Sequence, residues 1–164
     1  MTIMQRWKSY EDVARFVLRE LRHYLRLDHV DGYSDLIGRS GTTWRVEATS
    51  RRTSDGGVLI VECRRYTTAG VSQEDVGGIA YRIIDTSTSG GIIVSPLPLQ
   101  RGAALVAGSN DILHLKLHAE STPEAFLAEF MGNQFLRVHM GDQSAFGMPT
   151  VGATTPSKYK EGET

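Results

Sequence analysis

Cysteine is almost absent from this chain: its 164 residues contain one, Cys63. No intrachain disulfide can form, and a zinc site built from several thiolates is excluded. Long apolar runs are missing as well. None approaches the roughly 20 residues of a membrane-spanning helix, and no apolar stretch follows Met1, so neither a secretory leader nor a membrane anchor is expected. Net charge is nearly absent, at −1, which removes bulk electrostatics as a reason to expect a nucleic-acid partner. The histidines are scattered. Only His114 and His118 stand four apart, and on a strand that spacing leaves the two rings well separated, so a zinc pair is not expected. There is no internal repeat. No phosphate-loop lysine follows Gly38-Arg39-Ser40-Gly41, which reads as a turn feeding a strand.

What is present fits one globular domain. At 40% hydrophobic the chain can bury one sizeable core and is too short for two ordinary ones. Charge is unevenly distributed: residues 1–66 carry 12 Lys/Arg against 9 Asp/Glu, and residues 67–164 carry 6 against 10. The basic excess lies in the first half. Beyond Gly141 glycine, proline, serine and threonine accumulate and periodicity vanishes, so residues 1–140 are expected to form the domain and 141–164 a flexible tail.

The chemistry-bearing feature is Val58-Leu59-Ile60-Val61-Glu62-Cys63-Arg64-Arg65-Tyr66, an apolar strand-forming run that ends in charge. The two-residue period puts Glu62 and Arg64 on one face and Cys63 on the other, where a buried thiol is expected. A second strand, residues 43–49, precedes it across a polar loop that reads as a hairpin. A turn symmetric about Ser54 and Asp55 sets Glu47 opposite Glu62 and Arg45 opposite Arg64. It also sets Val46 against Cys63 and Ala48 against Val61 on the core face. Facing carboxylates destabilise a strand pair unless a cation, protein-borne or metal, lies between them.

Periodicity gives the order α-β-β-α-β-α-β. A first helix starts at Ser9, with Val13, Phe16, Val17, Leu21, Tyr24 and Leu25 as its apolar face and Arg15, Arg19, Arg22 and Arg26 as an opposing basic stripe. The stripe reads as a phosphate-tracking surface or a solvated face. Residues 28–41 read as loop, with a short strand near 35–37. A helix over 72–85 turns Val76, Ile79, Ala80, Ile83 and Ile84 inward and is stopped by Gly90-Gly91. Residues 92–94 form a buried strand parallel to the run at 58–62. A helix over 100–107, a strand over 112–117 and a last helix opening at residues 121–124 follow. Gln100 opens its helix at the sheet edge, where free amides could meet a phosphate.

These landmarks in this order resemble the Mrr-type branch of the restriction-endonuclease-like nucleases, whose signature is PD-(D/E)xK. The resemblance runs over residues 8–118. It rests on Tyr10-Glu11-Asp12-Val13, on residues 38–47, on Glu62-Cys63-Arg64-Arg65-Tyr66, on residues 71–76, and on Gly91-Ile92-Ile93-Val94-Ser95 followed by Leu99-Gln100-Arg101-Gly102-Ala103. It implies a three-layer α/β sandwich, a central mixed sheet with helices on both faces. It also implies a metal-dependent endodeoxyribonuclease with Mg²⁺, or Mn²⁺, as cofactor and DNA as partner, in restriction or defence. A homodimer and a cytoplasmic location go with it. Glu47 and Glu62 would be the metal ligands and Glu11 a supporting acid. Arg64 would stabilise charge on the phosphate, and Arg19, Arg22, Arg45, Arg65 and Gln100 are the candidates for contact with DNA.

Two positions depart from the signature: Glu47 stands where the family has Asp, and Arg64 where it has Lys. A longer carboxylate can still hold Mg²⁺. A guanidinium cannot take a proton from water. It can stabilise a phosphate, or it can pair with Glu62 or Glu47 and occupy the carboxylates. The first arrangement is a modified nuclease and the second a DNA-binding or assembly module on the same scaffold. A structural subunit with no nucleic-acid partner also fits the near-neutral charge.

Overall fold

Strand β5 (Val58–Cys63) is buried at every position except its first, and β6 (Gly90–Ser95) is buried throughout. Strands without polar alternation need cover on both faces, and both receive it. The computed structural model describes residues 9–66, 68–118, 122 and 124–128. β5 and β6 run parallel, joined by the crossover that parallel strands require, here carrying α2 (Gln73–Thr86). β7 (Ile112–Lys116) extends the parallel side. β4 (Ala48–Arg52) and β1 (Leu27–Val30) lie antiparallel on the other, giving the order β1-β4-β5-β6-β7.

Helix α1 (Tyr10–Glu20) covers one face, packing Val13, Val17 and Leu18 on Leu59, Val61, Cys63, Ile92 and Val94. α2 and α3 (Arg101–Ser109) cover the other, setting Val76, Ile79, Ile83, Ala103 and Ala107 against Ile60 and Ile93. This is the expected α/β sandwich, a mixed sheet with helices on both faces.

The segment expected as one strand over 43–49 is two. β3 (Thr43–Val46) pairs with β2 (Ser34–Ile37) in a separate two-stranded sheet, the chain bends at Glu47, and β4 joins the main sheet. Residues two apart on a regular strand share a face. Val46 instead packs in the α2–α3 core and Ala48 in the α1 core, so the bend turns the chain over. The expected register holds where there is a ladder, with Ala48 opposite Val61. It fails above it. Val46 does not face Cys63, and Arg45 does not face Arg64 but stands opposite Asp35.

Two helix ends also differ. Ser9 caps α1 by accepting from the Asp12 amide, as expected, but the helix ends at Glu20. Tighter bonds follow, from the Arg22 amide to the Arg19 carbonyl and from the Arg26 amide to the His23 carbonyl. Arg26 itself has φ +55°. The arginine stripe is therefore broken, with Arg22 and Arg26 in the turns leading to β1. α2 opens with a capping box between Ser72 and Asp75, and Ser87 in the left-handed region ends it. Gly90 and Gly91 do not stop that helix; they begin β6. A Cβ on Gly90 would sit 2.5 Å from the Asp111 carbonyl oxygen, so glycine is what lets the chain pass there. Ile84 faces outward at 53% exposure rather than inward. Residues 124–128 are helical, with Thr122 accepting from the Ala125 amide and Phe126 buried in the α1 core. The expected tail, 141–164, lies outside the described residues.

Candidate functional site

The C-terminal end of β5 delivers Glu62 to the α2 side of the sheet, two residues beyond the core residue Ile60. Glu62 is 4% exposed. A carboxylate so far from water must be paired, and both of its oxygens are. Oε2 accepts from Arg64 Nη1 at 3.4 Å, and Oε1 accepts from Arg82 Nη1, reaching over from α2. Arg64 Nη1 also donates to the Cys63 carbonyl at 3.0 Å. The Arg82 guanidinium lies 4.9 Å over the Trp44 ring, so it is held between an aromatic face and a carboxylate. Burial lowers the Arg82 pKa, opposed by the charge of Glu47.

Trp44 is fixed in turn. Its Nε1 donates to Asp85 at 2.8 Å, and the Ser40 amide and hydroxyl donate to the same carboxylate at 2.9 and 2.7 Å. These bonds dock the β2–β3 hairpin onto α2. Hydrogen bonds from Trp44 and then Ser40 hold the Asp85 carboxyl below its ordinary range. Gly38 completes the joint, since a Cβ there would lie 1.8 Å from Asp85 Oδ2. Gly38-Arg39-Ser40-Gly41 is thus a turn bound to Asp85.

Glu47, at the bend, turns one oxygen to the Cys63 amide. Burial pushes its carboxyl up, the hydrogen bond with Cys63 opposes this, and Glu11 adds like-charge repulsion against the attraction of Arg64. The fold therefore brings Glu11, Glu47, Glu62 and Arg64 into one electrostatic neighbourhood. Cys63 is buried, and burial first, then Glu47, pushes its thiol up. It is a protonated core thiol.

The remaining candidates are dispersed. Arg19 Nε donates to the Val30 carbonyl at 3.2 Å, and Arg22 Nη1 donates to the Arg19 carbonyl at 2.8 Å. Arg45 makes a two-point pair with Asp35 on the hairpin. Arg65 is exposed just past β5. Gln100 is the N-cap residue of α3 and binds the Gly70 carbonyl rather than its own helix. Sequence reasoning missed Arg82 and Trp44. The one available signal was a lone arginine within the apolar repeat Val76, Ile79, Ile83. Periodicity does not say which strand residue such a side chain meets.

As arranged, the donor set does not fit a divalent cation. Both oxygens of Glu62 and one of Glu47 are already bound by protein donors. Among the described residues no three His, Cys, Asp or Glu side chains converge as a ligand set, and no helix is long and apolar enough to cross a membrane.

No family model and no curated protein matches the sequence. Solved structures do. A crystal structure of the protein of unknown function AF1548 aligns at TM-score 0.56 and 12% identity over 77% of each chain, which shows a shared fold. A repair endonuclease from Pyrococcus abyssi aligns at TM-score 0.45 and 18% identity, over 70% of this chain and 50% of that one. EndoMS in apo form aligns at TM-score 0.42 and 18% identity, over 71% and 50%. This chain spans half the length of those two endonuclease chains.

Proposed function

We propose that this chain is a DNA-binding protein on the scaffold of the Mrr-type PD-(D/E)xK nucleases, with guanidinium groups occupying the place of the catalytic cation. The observation that carries the reading is the clamp on Glu62 by Arg64 and Arg82. Two fixed positive charges neutralise the buried carboxylate, and neither can act as a general base. Among the described residues Arg64 gives only Nη1 to protein acceptors. Its side chain is 22% exposed, so the rest of the fork is available to a phosphate, the bidentate ligand that arginine suits. The position agrees with this use, because ligands of open α/β sheets gather outside the C-terminal ends of the strands.

The test combines binding and turnover. Affinity for a duplex oligonucleotide should fall steeply with salt, and Arg64→Ala should reduce the log–log slope by about 1, the release expected for one phosphate contact, whereas Arg19→Ala with Arg22→Ala tests the separate α1 stripe. Supercoiled plasmid should stay intact with Mg²⁺ or Mn²⁺. A hydrolytic reading, an Mrr-like endonuclease in restriction or defence, is favoured by one observation: Glu47 is desolvated beside Glu11, and a cation would relieve both. Metal-dependent nicking by the wild type, lost in Glu62→Ala, would establish that reading in place of the first.

A further inference from the structure

Tyr33, on the approach to β2, is 60% exposed, the most exposed aromatic ring among the described residues. One face of the ring is occupied. The Arg15 guanidinium lies 4.9 Å from its centroid, held by its ion pair with Asp12 and mostly buried at 14% side-chain exposure. Arg15 Nη1 is buried and has no hydrogen-bond partner among the described residues. The cation on that face attracts the ring and holds it against Arg15.

Tyr33 also lines a cavity of about 390 Å³ with Ser34, Asp35 and Arg45. It opens broadly to solvent, so a flat ring can approach Tyr33 from outside. Its far wall is the Asp35–Arg45 pair, with Arg45 Nε to Asp35 Oδ1 at 3.0 Å and Nη2 to Oδ2 at 3.3 Å. That pair sets acceptors beside donors, the pattern that the amide-like edge of a nucleobase also presents. Both side chains are exposed, at 75% and 51%, and exposed pairs hold weakly, so the pair can open to a polar ligand. Arg45 belongs to the β2–β3 hairpin whose Trp44 backs Arg82, so the cavity and the clamp share that hairpin.

We infer that this cavity receives an unpaired nucleobase of the DNA strand, stacked on Tyr33 and met at its edge by Asp35 and Arg45. The inference rests on the DNA-binding reading and names the part of the ligand that this wall recognises. The flat platform is indifferent to base identity, since every base offers a π face. The ion-paired wall supplies the polar discrimination.

The test measures anisotropy of a labelled single strand, the same strand with abasic positions, and the paired duplex, against wild type, Tyr33→Ala and Tyr33→Trp. Loss of one stacked base should weaken single-strand binding about tenfold in Tyr33→Ala. Tyr33→Trp should retain affinity, and the duplex should bind all three proteins alike. The abasic strand should bind wild type as weakly as the intact strand binds Tyr33→Ala. Circular dichroism confirms folding of the variants, whose altered side chain is exposed. Duplex binding with no effect of Tyr33→Ala on the single strand overturns the cavity assignment and leaves the DNA-binding reading standing. Absence of binding to any strand overturns both. Binding of free deoxynucleoside monophosphate, lost in Tyr33→Ala, with no single-strand preference shows a nucleotide site and overturns the strand assignment.

Discussion

Glu62 lies near the end of β5 and Glu47 at the bend between β3 and β4, and their surroundings give the two carboxylates opposite energetics. Glu62 is buried with two guanidiniums on it, and removing one member of a buried ion pair is far more costly than the pair's net contribution, about 3–5 kcal/mol. Glu62→Ala should therefore lower unfolding stability in urea by about 3 kcal/mol, the low end because Arg64 and Arg82 keep some solvent. Glu47 is desolvated without full compensation, and its carboxyl is raised above its ordinary value. A raised carboxyl favours folding only while protonated, so its contribution is present below the ordinary glutamate value of about 4.3 and lost as pH rises through the folded value. Glu47→Gln should then be neutral or stabilising in urea at pH 7, with the difference closing toward pH 4, because the amide oxygen can still accept from Cys63. A Glu47→Gln variant as damaged as Glu62→Ala would refute this assignment of roles. Glu62, Arg64 and Glu47 were legible in the sequence because an apolar strand run breaking into charge has few other uses. Arg82 was not, because a contact between a helix residue and a strand residue 20 positions earlier depends on how the crossover lies on the sheet.

At the scale of elements, the bend at Glu47 and the docked hairpin shape the site. The hairpin carries Trp44, which backs Arg82, so whatever loosens the hairpin also loosens the clamp. Asp85 is its anchor, and hydrogen bonds from Trp44 and Ser40 depress its carboxyl. A depressed carboxyl contributes stability above its ordinary value, about 3.9 for aspartate, and that contribution is lost as pH falls through the folded value. In a Trp7→Phe background, where Trp44 is the remaining tryptophan, emission should hold steady from pH 7 to 5 and shift to longer wavelength below about 4. Asp85→Ala should show the shifted emission already at pH 7, and emission unchanged in that variant would contradict the docking role of Asp85. The hairpin was poorly legible for a physical reason. Four-residue strands with mixed exposure carry almost no period-two signal, and the sequence over 43–49 alternates as one strand would. Only the opposed burial of Val46 and Ala48 reveals the turn-over. The longer elements α2, β5 and β6 were legible because burial on one or both faces imposes a long apolar pattern.

Over the whole molecule, the sheet directs the C-terminal ends of three parallel strands, β5, β6 and β7, toward one rim, and Arg64 and Arg65 directly follow β5. With the net charge near zero, affinity for an anion has to come from that local arrangement rather than from the molecule's overall field. The parallel pairing of β5 and β6 followed from the two apolar runs and the crossover between them. The clamp, on which the proposed function turns, did not. The most direct measurement is calorimetric titration of the folded wild type with Mn²⁺ beside Arg64→Lys combined with Arg82→Ala. If guanidiniums occupy the cation's place, the wild type should show no saturable Mn²⁺ binding, and the double variant, with Glu62 released, should gain it. Saturable Mn²⁺ binding by the wild type, abolished by Glu62→Ala in a protein that still folds, would contradict the account.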